Sequence, residues 1–288
     1  LFWHAGIRTG SEGVASIEFG LNDAVTSFRV FADGFAANGA VGSDFHFDQG
    51  FDSYLETWKT EAPREGLDPN GAEAVNLHTL AVLEQLDSET PYFLWVHYID
   101  PHAPYKKQKA YLERLGLPRR GRLPAGDRYD TEIAHVDHQI GRLLEGAARV
   151  LDLDNTITLF TSDHGESLGE HGGYWGHGKH VYENVLRIPL SITWPAVLEP
   201  GTIDASTLIT DVAATLLALS GVPGGDAFAG IDWSPVLRGE KAEPGGRVTF
   251  FQGHRGAVDP VEDPTDLRRK GLLEVGRLEG RRKEIIVV

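Results

Sequence analysis

The chain has 288 residues, and its 27 basic and 42 acidic side chains give a formal net charge of −15 at neutral pH. A surface this acidic argues against nucleic acid as a general partner, because phosphate contacts need Lys and Arg, although a local basic pocket could still hold a small anion. No apolar run reaches the roughly 20 residues that span a bilayer. The absence of cysteine excludes disulfides and Cys-ligated zinc.

Both ends of the sequence read as interior phrases of a longer chain. Residues 1–4 open in the middle of an apolar stretch that has no methionine, and residues 285–288 are typical of a strand. We therefore expect a chain that is truncated at its N terminus and at its C terminus.

Helical and extended patterns alternate along the chain. Apolar residues recur at helical spacing in three segments, which predicts helices at 70–86, 127–150 and 206–220. Three short, nearly continuous apolar runs predict buried strands at 92–99, 156–161 and 188–194. The segment 106–126 is basic and rich in Gly and Pro, and we interpret it as a surface excursion. Strands separated by helices indicate an α/β fold, with a largely parallel mixed sheet sandwiched by helices.

Two loops lie beyond the carboxyl ends of predicted strands, where functional groups collect in such sheets. The first, Asp100–Tyr105, holds His102 between two prolines that restrict its backbone and fix its direction. A histidine fixed at a strand end is suited to donate a proton or to bind an anion. The alternative is a rigid turn with an incidental histidine.

The second loop, Ser162–Lys179, is rich in glycine. Asp163 offers a carboxylate and His164 an imidazole, a mixed set that suits Ca, Mg, Mn or Zn. Gly165 permits a sharp turn that would let both face one ion. The alternative is a turn-capping Asp163 and a surface His164. His177 and Lys179 follow, so one pocket could hold an anion beside a metal.

Taken together, three phrases resemble the sulfatase family of the alkaline-phosphatase-like superfamily in order and spacing. They are YFLWVHYIDPHAPY (92–105), TITLFTSDHGESLGEHG (156–172) and YENVLRIPL (182–190). The resemblance implies metal-dependent hydrolysis of sulfate esters. It also implies a large α/β domain, present in part as residues 1–240, and a smaller C-terminal region that begins within 241–288.

The resemblance also assigns roles to single residues. It implies that Asp163 and His164 are two ligands of one divalent metal. Many relatives have Asn in the second position and bind calcium, so His164 leaves Ca, Mn and Zn open. It implies that His102 contacts the sulfate ester and can protonate the leaving oxygen. Either His177 or Lys179 contacts the ester as well, and the spacing to the Tyr-Glu phrase favours His177. Glu166, Glu170 and His171 are interpreted as residues that hold the loop.

Family members use a formylglycine nucleophile made from Cys or Ser in a Cys/Ser-x-Pro-x-Arg motif. The only x-Pro-x-Arg match here, Gly116–Arg120, has glycine in the nucleophile position. We therefore expect the formylglycine and the first metal carboxylates in a segment upstream of Leu1, and we expect the 288 residues alone to be inactive.

Two other functions stay open at this point. The first is a phosphodiester or phosphonate monoester hydrolase, or a phosphoglycerol transferase, of the same superfamily. The second is a non-catalytic anion-binding remnant. In the enzymatic cases the partner is a small anionic sulfate or phosphate ester. The resemblance favours a periplasmic or extracellular location, and the sequence does not indicate an oligomeric state.

Overall fold

A computed structural model describes residues 29–33, 47–60, 63–86, 91–254, 272–280 and 282–287, the first range by its backbone. The described residues fall into two compact units that divide between Leu153 and Asp154. The predicted domains, 1–240 and 241–288, have a different boundary, and that division stays a prediction. Among the residues described, no helix is both long enough and apolar enough to cross a membrane.

The first unit contains a parallel three-stranded sheet and two helices. The sheet has the order β2-β1-β3. Its register pairs Phe31 with Ser53 on one side and with Leu94 on the other. In chain order the elements are β1 (Arg29–Asp33), β2 (Ser53–Leu55), α1 (Ala72–Leu83), β3 (Tyr92–Val96) and α2 (Ala125–Ala147).

Helix α1 begins at Ala72 rather than at the predicted Asn70. Its first N–H group donates to a residue far along the chain. The backbone N–H of Ala72 donates to Oδ2 of Asp100 at 3.0 Å, so a carboxylate that follows β3 satisfies it. Strand β3 ends at Val96, three residues before the predicted Ile99, and its side chains are half-buried. This hydrogen bond ties the end of β3 to the start of α1.

Helix α2 buries polar side chains next to the face that its apolar pattern predicts, on which Ala147 is buried but Ile133 is not. Ile133 on the predicted inner face is 44% exposed, whereas Thr131, Glu132 and Gln139 are buried. The side-chain amide of Asn76 in α1 donates to Oε1 of Gln139 at 3.1 Å and to its carbonyl oxygen at 2.6 Å. Most hydrogen-bonding groups of these polar side chains meet partners on other elements, and Oε2 of Glu132 is the exception among them.

The second unit opens with an antiparallel pair of strands around the glycine-rich loop. Strand β4 (Thr158–Thr161) pairs antiparallel with β7 (Leu190–Thr193), an antiparallel part of the mixed sheet that the sequence predicts to be largely parallel. A parallel return needs a crossover of a dozen or more residues, usually a helix. The intervening chain instead forms small elements: β5 (Ser167–Leu168), α3 (Glu170–Gly173), β6 (Trp175–Gly176) and α4 (Glu183–Leu186).

The rest of the second unit is helical and then antiparallel. Helix α5 (Asp211–Ser220) ends at Gly221, as the sequence predicts, and Gly221 has a φ of 72°. After the short α6 (Ser234–Leu237), the strands β8 (Val248–His254), β9 (Leu272–Glu279) and β10 (Arg282–Val287) form a sheet of order β10-β9-β8. The whole is a mixed α/β fold, which confirms the predicted fold class.

Candidate active site

The glycine-rich loop leaves β4 and is fixed at once by a close backbone approach. The N–H of Gly165 donates to the carbonyl oxygen of Val185 at 2.7 Å. A Cβ atom at position 165 would lie 2.2 Å from the carbonyl oxygen of Asn184. Glycine is therefore required here for space. Gly165 is not among the described residues with positive φ, so the close approach and not a left-handed backbone accounts for glycine here.

The donor atoms of Asp163 and His164 converge at the start of this loop. Nε2 of His164 lies 3.4 Å from Oδ2 of Asp163, whose side chain is 70% exposed. Nδ1 of His164 lies 2.8 Å from the carbonyl oxygen of Gly165. A carbonyl only accepts, so this contact places a proton on Nδ1, and in the neutral ring with that proton Nε2 has its lone pair available. This is the form in which histidine binds a metal, with its second nitrogen held by a backbone carbonyl.

The separation of the two donor atoms fits two ligands of one ion. Metal bonds of about 2.0–2.6 Å place neighbouring ligand atoms about 3–3.5 Å apart, for Zn and for Ca alike. Within the described ranges, no group of three or more His, Cys, Asp or Glu side chains is placed to hold a metal. Asp163 and His164 thus form a pair of donors and not a complete site.

The ring of His177 is stacked on that of His164, with centroids 3.7 Å apart and planes 27° apart. Its Nδ1 lies 3.3 Å from Oε1 of Glu166, whose side chain is only 8% exposed. The hydrogen bond to Glu166 raises the pKa of His177 although burial opposes the charged form. Glu166 therefore does more than hold the loop, because it favours a protonated imidazole next to the donor pair.

Tyr174 connects His177 with Lys179. Its hydroxyl donates to the carbonyl oxygen of His177 at 2.7 Å. The ammonium of Lys179 lies 5.7 Å from the centroid of its ring. The two residues predicted to contact an ester thus share one aromatic support, but only His177 stacks on a predicted metal ligand.

Glu170 and His171 keep the structural roles that the sequence predicts. Oε2 of Glu170 accepts from the N–H of Leu168 at 2.6 Å and from the side-chain amide of Asn184 at 3.2 Å. The ring of His171 stacks on that of Tyr182 at 3.9 Å. These contacts fold the tip of the loop on itself.

The other candidate loop, Asp100–Tyr105, lies in the first unit and is held by hydrogen bonds at both ends. Asp100 accepts from α1, as described above, and the N–H of Lys106 donates to Oε1 of Glu132 on α2 at 2.7 Å. Nε of Arg128 donates to the carbonyl oxygen of Tyr105 at 2.9 Å. His102 is exposed, and its Nδ1 lies 2.7 Å from the carbonyl oxygen of Ala103.

The five predicted site residues are divided between the two units. His102 belongs to the first, and Asp163, His164, His177 and Lys179 belong to the second. The structure brings the last four together in one loop, and the convergence of His102 with them stays a prediction.

Two further residues of the second unit form a contact that the sequence does not predict. Nδ1 of His180 lies 2.7 Å from Oε1 of Glu274 on β9, and Glu274 is buried. Glu274, which stands between Leu273 and Val275 in β9, was the available signal, since an acidic side chain within a strand is buried only when it has partners.

Comparison with known proteins gives the family. The family model described as Sulfatase matches residues 5–222, more than half of the chain. The N-acetylglucosamine-6-O-sulfatase of Bacteroides thetaiotaomicron is 38% identical over 117 residues, which cover 40% of this chain and 21% of that relative. The arylsulfatase of Clostridium perfringens is 29% identical over 190 residues, which cover 54% and 39%. The chain therefore spans well under half the length of either relative.

Solved structures give the fold. The solved structure of BT4656 in complex with its substrate D-glucosamine-2-N,6-O-disulfate superposes with a TM-score of 0.61 at 18% identity. The match covers 90% of this chain and 70% of that chain. The phosphonate monoester hydrolase of Silicibacter pomeroyi superposes with a TM-score of 0.61 at 20% identity and covers 90% and 69%. These likenesses establish the alkaline-phosphatase-like fold alone. With the fold, the ordered motifs and the family match in agreement, the chain belongs to the sulfatase family.

Proposed function

We propose that the full-length protein that contains these 288 residues hydrolyses sulfate esters with the help of a divalent metal. The observation that carries the proposal is the pair of donor atoms 3.4 Å apart on Asp163 and His164, with His177 stacked beside it. Family membership supports the reaction class. A bound divalent ion neutralises charge on the ester oxygens and lowers the barrier to attack.

Each candidate residue of this chain then has a separate proposed role. Asp163 and His164 hold the ion. His177, whose pKa Glu166 raises, contacts the ester as a hydrogen-bond donor and can supply the proton that the leaving oxygen needs. Lys179 is the second candidate for this contact, and His102 is proposed for the same substrate. Formylglycine, expected upstream of Leu1, would supply the nucleophile.

The donor set bears on the metal. An imidazole ligand favours Mn or Zn over Ca, which takes oxygen ligands. The donor separation by itself fits either class. We therefore propose Mn or Zn as the resident metal and keep Ca as the alternative to be tested.

A phosphonate or phosphodiester hydrolase is the second candidate function. It is favoured by the Asp-His pair, which suits a phosphoester as well as a sulfate ester, and by the equal TM-score of the solved phosphonate monoester hydrolase. The substrate in either case is a small anionic ester. Among such esters we propose sugar sulfates first, because one relative is named for a sugar sulfate and one solved structure binds a sulfated sugar. Following the family resemblance, we place the protein in the periplasm or outside the cell.

The test uses the full-length protein, freed of metal by chelation and reloaded separately with Ca, Mn or Zn. Hydrolysis of 4-nitrophenyl sulfate is compared with that of a phenylphosphonate monoester, and the mass of the nucleophile peptide is measured. A formylglycine mass with faster sulfate release supports the proposal. Faster phosphonate cleavage supports the second candidate function. If neither ester is hydrolysed with any metal, the remaining hypothesis is a non-catalytic anion-binding protein.

A further inference from the structure

The end of the glycine-rich loop is held by the C-terminal sheet through one buried carboxylate. Oε1 of Glu274 on β9 lies 2.7 Å from Nδ1 of His180, and Oε2 accepts the N–H of Val181 at 3.0 Å. The side chain of Glu274 is 5% exposed. A buried carboxylate that accepts two hydrogen bonds on different oxygens is fixed in orientation, and it fixes both donors in turn.

The sheet also approaches this segment too closely for ordinary side chains. A Cβ atom at Gly253 on β8 would lie 2.5 Å from the carbonyl oxygen of Lys179. A Cβ atom at Gly276 on β9 would lie 3.0 Å from a methyl group of Val181. Two neighbouring strands therefore form a close backing for residues 179–181.

The fixed imidazole of His180 leads on to both candidate ester contacts. Its ring meets the ring of Tyr174 edge to face, with centroids 4.7 Å apart and planes at 85°. Tyr174 holds the carbonyl of His177 with its hydroxyl and the ammonium of Lys179 over its ring. One continuous series of contacts thus runs from Glu274 through His180 and Tyr174 to His177 and Lys179.

We propose that Glu274 is a positioning residue for the candidate active site, which it serves by fixing His177 and Lys179 through His180 and Tyr174. The proposal rests on the proposed function of these two residues and extends it to the C-terminal sheet. The supporting partners that orient a metal-site residue or its neighbours typically change affinity or activity about 10- to 100-fold when removed. We expect an effect of that size here.

The test uses the full-length, metal-loaded protein, four single variants and the double variant that combines Glu274→Ala with Tyr174→Phe. Glu274→Ala removes both hydrogen bonds, whereas Glu274→Gln keeps an acceptor oxygen. Tyr174→Phe deletes only the hydroxyl that holds the carbonyl of His177. The matched control is Glu279→Ala, because Glu279 lies on the same strand, is 51% exposed and forms an ion pair with Arg277 on its own strand.

The expected results form a graded series. Glu274→Ala lowers kcat/KM about 10- to 100-fold, and Glu274→Gln retains most of the activity. Tyr174→Phe lowers kcat/KM about fivefold, as the loss of one hydrogen bond implies. Because they act along one series of contacts, Glu274→Ala and Tyr174→Phe together lose less than the product of the single losses. The control stays within about twofold of the wild type.

Three results would overturn the proposal. One is activity of Glu274→Ala at the level of the control. Another is equal loss in Glu274→Ala and Glu274→Gln together with lower thermal midpoints, which indicates a purely structural role. The third applies if Glu274→Ala does not fold. Tyr174→Phe then decides, since this substitution opens little space in the structure. Wild-type activity in Tyr174→Phe would reject the proposed series of contacts.

A measurement without turnover separates this proposal from the proposed function. If the wild type cleaves neither ester, the proposed function fails, and the positioning is read from the imidazole NMR signals of His177. These signals must shift in Tyr174→Phe and Glu274→Ala and stay in place in the Glu279→Ala control. Unchanged His177 signals in both variants reject the positioning role, whatever the activity.

Discussion

The rings of His164 and His177 lie stacked with centroids 3.7 Å apart, although 12 other residues separate the two positions along the chain. One ring belongs to a candidate metal ligand and the other to a candidate ester contact. Any ion held by Asp163 and His164 would therefore be adjacent to His177. This adjacency relates metal binding and ester contact within one loop.

Removal of either donor atom should abolish tight metal binding. We expect Asp163→Ala and His164→Ala to raise the metal dissociation constant of the full-length protein by more than the 10- to 100-fold that the loss of an outer partner causes. The measurement is a calorimetric titration of the chelated protein with Mn, Zn and Ca. Asp137→Ala, an exposed residue on α2, is the control. Wild-type affinity in both donor variants would reject the metal role.

Loss of the imidazole at position 177 should impair esters with poor leaving groups most. A positioned proton donor contributes about 10²- to 10⁴-fold, and an alkyl leaving oxygen needs the proton more than 4-nitrophenolate does. We expect His177→Ala to lower kcat/KM far more for an alkyl sulfate than for 4-nitrophenyl sulfate. Lys179→Ala serves as the comparison. A greater leaving-group dependence in the Lys179 variant would instead assign the role to Lys179.

A methyl group at position 165 should displace the loop. The added Cβ would lie 2.2 Å from the backbone oxygen of Asn184, so the two segments must separate. Overpacking of this kind costs about 1–3 kcal/mol, and we expect Gly165→Ala to weaken metal binding as well. The readouts are urea denaturation and calorimetry. Gly141→Ala is the control, because its Cβ would meet nothing within 4 Å and α2 should gain stability.

Glu132 should make the stability of the protein depend on pH. Burial raises the pKa of this carboxyl from 4.5 to about 7, and its Oε2 has no hydrogen-bond partner among the described residues. A raised pKa means that the folded state holds the proton more tightly than the unfolded state does. The stability linked to this group is complete below about pH 4.5 and is lost as the pH rises through 7.

The Glu132→Gln variant isolates this contribution. The amide stays neutral and can still accept the N–H of Lys106, so the variant should gain about 2–3 kcal/mol relative to the wild type between pH 4 and pH 8. Urea denaturation at several pH values measures the difference. Glu145→Gln, on the exposed side of α2, should give a difference that does not change with pH. A constant difference for Glu132→Gln would contradict the assignment.

The sequence predicted local structure well where the pattern is apolar or glycine-based. The end of α5 at Gly221 and the loop with Asp163 and His164 could be read directly, because capping and short-range spacing are encoded locally. The polar residues that α2 buries could not be predicted in this way. Apolar periodicity favours Ile133 inside, whereas the structure buries Thr131 and Glu132, whose partners at Lys106 and Gln108 lie more than 20 residues earlier.

The remaining misses have the same cause. Glu274 and His180 are 94 residues apart, and nothing in either local sequence indicates the other. The antiparallel pairing of β4 with β7 depends on how the short elements between them turn the chain, which periodicity does not report. In each case the deciding partner comes from a distant part of the sequence.

The distance along the chain between His180 and Glu274 has a consequence for biosynthesis. The glycine-rich loop leaves the ribosome long before β9 does, so in the nascent chain His180 has no carboxylate partner and the segment 179–181 has no backing strand. The loop reaches its final geometry only when the sheet of β8, β9 and β10 has been translated and has docked. Maturation of the candidate active site therefore has to wait for a sheet that is made well after the loop itself.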